Sequence, residues 1–210
     1  MRIQLLFAKT EAMRYTGHLD LMRALERNFR RAQLPLAYTQ GFNPRPRIVL
    51  ASPLPLGVTS EGELAEVWLK EPIPEDDLLS GLNDKAPPGL VYFEVTPVSD
   101  GIPKLPTRLA AASYQARLEQ VPPDLADRID IFLDADSLPR ERKGKPYDLR
   151  PLVEDLALIN KNGSGESIVL MRLTARPGAT GRPDEVLDAL ALNPQPAGLH
   201  RTRLFLDEAR

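Results

Sequence analysis

The segment at residues 40–47, Gln-Gly-Phe-Asn-Pro-Arg-Pro-Arg, combines residue types that suit the binding of an anion. Its two prolines restrict the backbone, Gly41 permits a tight turn, and Asn43 can hydrogen-bond to the neighbouring backbone. Arg45 and Arg47 therefore project from a chain that has already lost much of its conformational freedom. Because guanidinium groups bind phosphate through paired hydrogen bonds, this pattern predicts a preformed clamp for phosphate groups.

Two aromatic residues accompany the predicted clamp. Tyr38 and Phe42 could stack on an unpaired base, which is how single-stranded nucleic acids are commonly bound. A structural alternative accounts for the same segment. In that alternative the prolines keep an edge strand from pairing, while the arginines cap backbone carbonyls or pair with acidic residues of the same chain.

A second cluster of basic residues surrounds a Gly and Pro turn at residues 140–151. Lys143, Lys145 and Arg150 are its candidate anion-binding residues. Asp148 is a carboxylate among these cations, and we expect it to stay ionised. An ionised carboxylate suits an ion pair or a nucleophile better than a general acid, so Asp148 is a weak candidate for catalysis and a better one for a structural ion pair.

Positive charge is concentrated at the start of the chain. The formal net charge is −2, yet residues 1–60 hold nine cations and three anions, which leaves a net charge of −8 on the rest. Arg23, Arg27 and Arg30 recur on one side of a predicted helix, opposite its apolar side. This surface either binds a polyanion or an acidic partner, or is a solvated face balanced by the molecule's own acids.

The composition argues against several classes of site. The chain of 210 residues has no cysteine and only two histidines, His18 and His200, so we expect no disulfide, iron–sulfur cluster, metal site or bound cofactor. Its apolar runs are too short to span a bilayer, and the opening residues lack the apolar core of a signal peptide. We therefore expect a cytoplasmic protein without a membrane partner.

The elements that must position these residues follow from hydrophobic periodicity. Trp68 lies among apolar neighbours, and we expect it in the core. The first half predicts a strand at 3–8, a helix from about 16 until Pro35, extended pieces at 36–38 and 47–51, a strand at 64–70, a helix at 75–82 and a strand at 90–98. The second half predicts a strand at 113–118, a helix at 123–132, strands at 152–158 and 167–173, a helix at 184–190 and a strand at 199–206.

The order β-α-β-β-α-β thus occurs twice. A shift of 103 residues also aligns Gly41 with Gly144 and Arg47 with Arg150. We predict an α+β protein of two tandem ferredoxin-like halves with antiparallel sheets, at residues 1–100 and 107–210, joined by a Pro-rich bridge at 101–106.

Three stretches of the first half and three of the second carry a family resemblance. They are Arg14–Arg27, Leu34–Pro46, Leu54–Glu63, Lys143–Lys145, Asp148–Pro151 and Gly181–Leu187. Together they resemble the radical SAM-linked protein family, whose domain is the domain of unknown function 2344. The resemblance is strong over residues 1–100 and thinner afterwards.

The resemblance implies a protein that works beside a radical SAM enzyme and has a tie to RNA or ribosomes. Since the chain has no cysteines to hold a cluster, it would be the separate-subunit form. The first hypothesis is therefore a non-catalytic RNA-binding or adaptor subunit. The alternatives are an RNA-modifying enzyme that uses Asp148, by analogy of architecture with the pseudouridine synthases, and a protein-only scaffold.

Overall fold

Alternating residues of the first strand face the core: Ile3, Leu5 and Phe7 are buried, while the residues between them are half-buried. A computed structural model describes residues 1–160, 167–192 and 198–207. Within these residues the fold is mixed α+β, as predicted, and its strands pair mostly antiparallel. It has five α-helices, one more than the four that the sequence predicted. The chain divides into two compact units, the first made of Met1–Leu109 with the chain end from Leu206, the second of Ala110–Phe205.

The first unit contains four strands and three helices. In chain order they are β1 (Arg2–Lys9), α1 (His18–Arg31), β2 (Ile48–Leu50), β3 (Thr59–Trp68), α2 (Glu75–Asp84), β4 (Leu90–Pro97) and α3 (Leu105–Arg108). β1 pairs antiparallel with both β3 and β4, and β2 pairs antiparallel with β3, so the strand order is β4-β1-β3-β2. A 3₁₀ turn at Glu11–Met13 precedes α1.

The core of this unit lies between the two longer helices and one face of its sheet. Leu21, Leu25 and Phe29 on one side of α1 pack with apolar residues of the strands. The apolar stripe predicted for this helix is confirmed. Gln33 at its end has a φ of 56°, and the N–H of Leu34 donates to the carbonyl of Phe29 at 3.0 Å. This left-handed residue closes the last helical turn and sends the chain back towards the sheet.

A buried polar network joins the two helices to the edge strand. The hydroxyl of Tyr92 donates to Asn28 Oδ1 at 2.7 Å, and Asn28 Nδ2 donates to the carbonyl of Leu82 at 3.1 Å. Burial raises the pKa of the Tyr92 hydroxyl, so it stays protonated and keeps donating.

In its described residues, the second unit contains two helices and a main sheet, together with a short hairpin. In chain order its elements are β5 (Leu109–Leu118), α4 (Leu125–Asp134), β6 (Pro139–Arg142), β7 (Lys145–Asp148), β8 (Val153–Asn160), β9 (Ser167–Arg176), β10 (Ala179–Thr180), α5 (Pro183–Ala189) and β11 (Leu199–Leu206). The strand order in the main sheet of this unit is β8-β9-β5-β11, and β10 extends the β8 side of β9. A 3₁₀ turn at Arg150–Leu152 leads into β8. The hairpin of β6 and β7 was not predicted.

The structure also bears on membrane-spanning helices and on metal sites. In the described ranges, no helix is both long and apolar enough to cross a bilayer. Among the same residues, no three histidine or carboxylate side chains group closely enough to hold a metal ion.

Candidate anion-binding site

The segment with Arg45 and Arg47 forms a loop closed by a short antiparallel ladder. The N–H of Thr39 donates to the carbonyl of Arg45 at 2.9 Å, and the N–H of Arg45 donates to Thr39 Oγ1 at 3.0 Å. The N–H of Arg47 donates to the carbonyl of Ala37 at 2.9 Å, and the N–H of Ala37 donates to Trp68. The loop is thereby anchored on the end of β3.

The two prolines occupy the ladder positions at which the backbone nitrogen points away from the other arm of the loop. Arg45 and Arg47 use their N–H groups towards the other arm, so the alternate residues Pro44 and Pro46 face away from it. A proline has no N–H, so this outer edge presents fewer donors to a further strand. The structural role predicted for the prolines and the presentation of the arginines therefore coexist in one loop.

The tip of the loop is shaped by a glycine and ends in an aromatic ring. Gly41 has a φ of 125°, which side chains with a Cβ rarely adopt. Phe42 follows it and is fully exposed to solvent, and Asn43 is exposed as well. An exposed ring of this size on a rigid turn is available for stacking on a planar ligand.

Three cations and two more aromatic rings line the base of the loop. The guanidinium Cζ of Arg47 lies 4.6 Å from the centre of the Trp68 ring, and Lys70 Nζ lies 5.9 Å from the Tyr38 ring. Arg45, Arg47 and Lys70 are exposed, and none of them pairs with a carboxylate of the described residues. The positive charge of this surface is therefore not neutralised locally.

Trp68 is half-buried, and the expectation that it lies in the core was wrong. Arg2 lies over its ring with Cζ 5.3 Å from the centre, on the sheet face opposite α1 and α2. Arg2 and Arg108 both pair with Glu66, whose side chain has no exposed surface, and Arg108 Nη2 lies 3.0 Å from the carboxylate. These two arginines are structural cations, because they neutralise a buried acid.

The arginines predicted on the first helix lie on its solvent side. Arg23 pairs with Asp20 at 2.9 Å, and Arg30 pairs with Glu26 at 2.7 Å. Arg27 is exposed and pairs with no carboxylate of the residues that the structure describes. This helix therefore offers less uncompensated charge than its sequence suggests.

In the second unit the basic cluster forms the tip and base of the unpredicted hairpin. Lys143 and Gly144 have φ values of 53° and 74°, as a two-residue turn between right-twisted strands requires. Lys143 and Lys145 are exposed at this tip. Arg142 stacks on Tyr147, with Cζ 4.7 Å from the ring centre, and pairs with Glu185. The hairpin is thereby tied to the start of α5.

Asp148 and Arg150 form hydrogen bonds within this region. Asp148 Oδ1 accepts the N–H of Leu138 at 2.8 Å and the N–H of Arg150 at 3.0 Å. The Leu138 N–H and the Ser137 hydroxyl are the main groups that hold the pKa of the Asp148 carboxyl below its usual range. Arg150 donates to the carbonyls of Leu133 and Val153 at 3.0–3.2 Å. Both side chains thus brace the polypeptide.

Several contributors to this surface were not identified from the sequence. Lys70, Arg2 and Arg108 were not singled out, although a glutamate inside an otherwise apolar strand is a signal that a cation must approach it.

A family model described as "Uncharacterized protein conserved in bacteria (DUF2344)" matches residues 2–183. No curated protein matches the chain.

Proposed function

This chain belongs to the DUF2344 family, and we propose that it is a non-catalytic RNA-binding subunit that acts with a radical SAM enzyme in the cytoplasm. The proposal rests mainly on the uncompensated cations of the loop at residues 38–47, which stand beside exposed aromatic rings. Single-stranded polynucleotides present the matching chemistry, because each nucleotide offers a phosphate and a planar base.

The geometry favours an unpaired strand over a duplex. Phe42 at the loop tip and Tyr38 at its base are exposed, and bases offer their faces to such rings only where they are not stacked within a helix. Arg45 and Arg47 belong to the same loop, Lys70 lies over the Tyr38 ring, and these three cations supply the phosphate contacts. The binding described here depends on charge and stacking and requires no fixed base sequence.

The tandem ferredoxin-like architecture remains part of the proposal. It is supported by the strand orders β4-β1-β3-β2 and β8-β9-β5-β11, in which the first, second, third and fourth strands of each β-α-β-β-α-β unit occupy equivalent places. The radical SAM partner is supported by the resemblance of the motifs at residues 14–27, 34–46 and 54–63. In this proposal the partner holds the cluster and performs the chemistry.

The alternative of an RNA-modifying enzyme receives less support from the site. A catalytic carboxylate needs at least one oxygen turned towards its substrate. One oxygen of Asp148 already accepts two backbone N–H groups, and the interactions that lower its pKa come from residues that flank its hairpin. The carboxylate therefore fits a bracing role.

The proposal is tested by recovering the protein from its native cells with a mild affinity tag and identifying the RNA and proteins that accompany it. An Arg45→Ala/Arg47→Ala variant should recover much less RNA and the same amount of radical SAM protein. Arg23→Ala/Arg30→Ala is the matched control, because it removes the same number of charges from arginines that already pair with acids. Equal RNA with all three proteins would contradict the role of the loop, and a complex without RNA would identify a protein scaffold.

A further inference from the structure

Among the described residues, the main sheet of the second unit has one face on which Arg117 and Arg172 are exposed, and we call it the uncovered face. Leu173 points to the covered side, where its Cβ lies 3.1 Å from the position that a Cβ on Gly181, just before α5, would take. α4 contacts β8. Arg172 neighbours Leu173 along β9 and so points to the other side, where Ser113 of β5 pairs with it. The side of the sheet that carries Arg172 is therefore formed by every second residue of each strand.

The uncovered face carries a stack of planar groups. The guanidinium Cζ of Arg172 lies 4.2 Å from the centre of the Phe205 ring, and that of Arg203 lies 5.0 Å from the same centre. Phe205 lies on β11 and Arg172 on β9, so the stack spans the strand between them. Ala111 and Ser113 of β5 lie on the same side of the sheet as Arg172.

The charge of this face is only partly compensated. Arg172 pairs with Glu154 at 2.8 Å, and its side chain is still 45% exposed. Arg203 and Arg117 are exposed, and neither pairs with a carboxylate among the described residues. Arg117 shares the face with Ser113, four residues further along β5, which places it about 13 Å from the stack. Two phosphates of an extended strand can span such a distance.

We propose that this surface, made of Arg117, Arg172, Arg203 and Phe205, is a second binding site for a single-stranded polynucleotide. A base stacks on the layered ring and guanidinium planes, and phosphates of the same strand bind Arg203 and Arg117. The polynucleotide is favoured over an acidic protein because the cations surround a planar stack. The site shares no residue with the loop at residues 38–47, so either site can fail without the other.

The test uses the full chain and a fluorescent oligonucleotide of about 12 nucleotides with 2-aminopurine near its centre. This length lies within the range of about 4–16 nucleotides that single-strand-binding OB folds occupy. Phe205→Leu keeps the apolar packing and removes the ring. Phe93→Leu is the matched control, since Phe93 is an exposed phenylalanine on β4 of the first unit. All variants also carry Arg45→Ala/Arg47→Ala, so that binding at the loop does not contribute. Thermal unfolding by circular dichroism checks that each variant is folded.

We expect Phe205→Leu and Arg203→Gln each to weaken binding about tenfold, and Phe205→Leu also to reduce the 2-aminopurine quenching. Phe93→Leu should bind as the parent does. Equal losses of affinity for RNA and DNA oligonucleotides would identify a site that contacts phosphates and bases and not the ribose hydroxyls. A loss of affinity confined to RNA would identify an RNA site. Unchanged binding by folded Phe205→Leu, or equal losses in Phe93→Leu, would overturn the proposal. If polyphosphate, which has no bases, competed as well as an unlabelled oligonucleotide does, base stacking would not contribute to binding.

Discussion

Replacing Arg45 and Arg47 by alanine should reduce the salt dependence of RNA binding as well as the affinity. Each phosphate contact with a single strand releases condensed counterions, and the logarithm of the binding constant falls by about 0.7 per contact for each tenfold rise in salt. The loop offers three exposed cations that pair with no acid of the described residues: Arg45, Arg47 and Lys70. Their joint contribution to the slope is therefore about −2.1.

The double variant keeps Lys70 alone and should retain a loop contribution of about −0.7. Between 50 and 200 mM salt, the loop of the parent protein then accounts for a loss of affinity of about 18-fold, and that of the variant for about threefold. Other basic surfaces add the same offset to both proteins. The predicted quantity is thus the difference between the two slopes, about 1.4.

The measurement is fluorescence anisotropy of a labelled, unstructured RNA at several salt concentrations with constant buffer and protein. Arg23→Ala/Arg30→Ala should change the slope little, because both arginines already have carboxylate partners. A loop variant that binds more weakly at every salt concentration with an unchanged slope would refute the reasoning. It would mean that the arginines support the loop and do not contact phosphate.

Three further predictions concern the scaffold. Glu66→Gln leaves two largely buried guanidinium groups without their acid and should lower the free energy of unfolding by about 3 kcal/mol, measured by chemical denaturation. Glu94→Gln, at an exposed position, should change it little. Gly89→Ala should lower the free energy of unfolding by about 2 kcal/mol or more in the same assay, since the φ of Gly89 is 99° and the new Cβ would lie 2.9 Å from a backbone nitrogen. Gly81→Ala, at a helix position with open space around it, should instead raise the free energy of unfolding by about 0.5–1 kcal/mol. The pKa of the Asp148 carboxyl is lowered in the folded protein, so its stabilisation of the hairpin is complete above its ordinary pKa and is lost as the pH falls through the lowered value. The protection factors of the hairpin amides, which are corrected for the intrinsic pH dependence of exchange, should therefore fall in acid in the parent protein. In Asp148→Ala they should be low at every pH.

Local patterns predicted most of the secondary structure. The alternation of Ile3, Leu5 and Phe7, and the helical spacing of Leu21, Leu25 and Phe29, each report which side of an element is buried, and both are confirmed. The hairpin at residues 139–148 escaped prediction because its strands of four residues are mostly polar and have no buried side to impose a period.

Contacts between distant residues could not be read from the sequence. Arg2 meets the carbonyls of Ile102 and Pro103 about a hundred positions later, and no local pattern marks such a partner. The exposed cations of the loop were predicted from the proline spacing, while the compensation of Arg23 and Arg30 was missed. Acids three or four positions away on the same helix turn were the available signal.

Trp68 is the single tryptophan of the chain, and it lies directly beneath Arg47 at the base of the loop. The indole emission of the unlabelled protein therefore reports on this one place. A ligand that draws the guanidinium away from the ring changes the polarity around the indole and shifts its spectrum. The protein thus contains its own optical probe for occupancy of the loop.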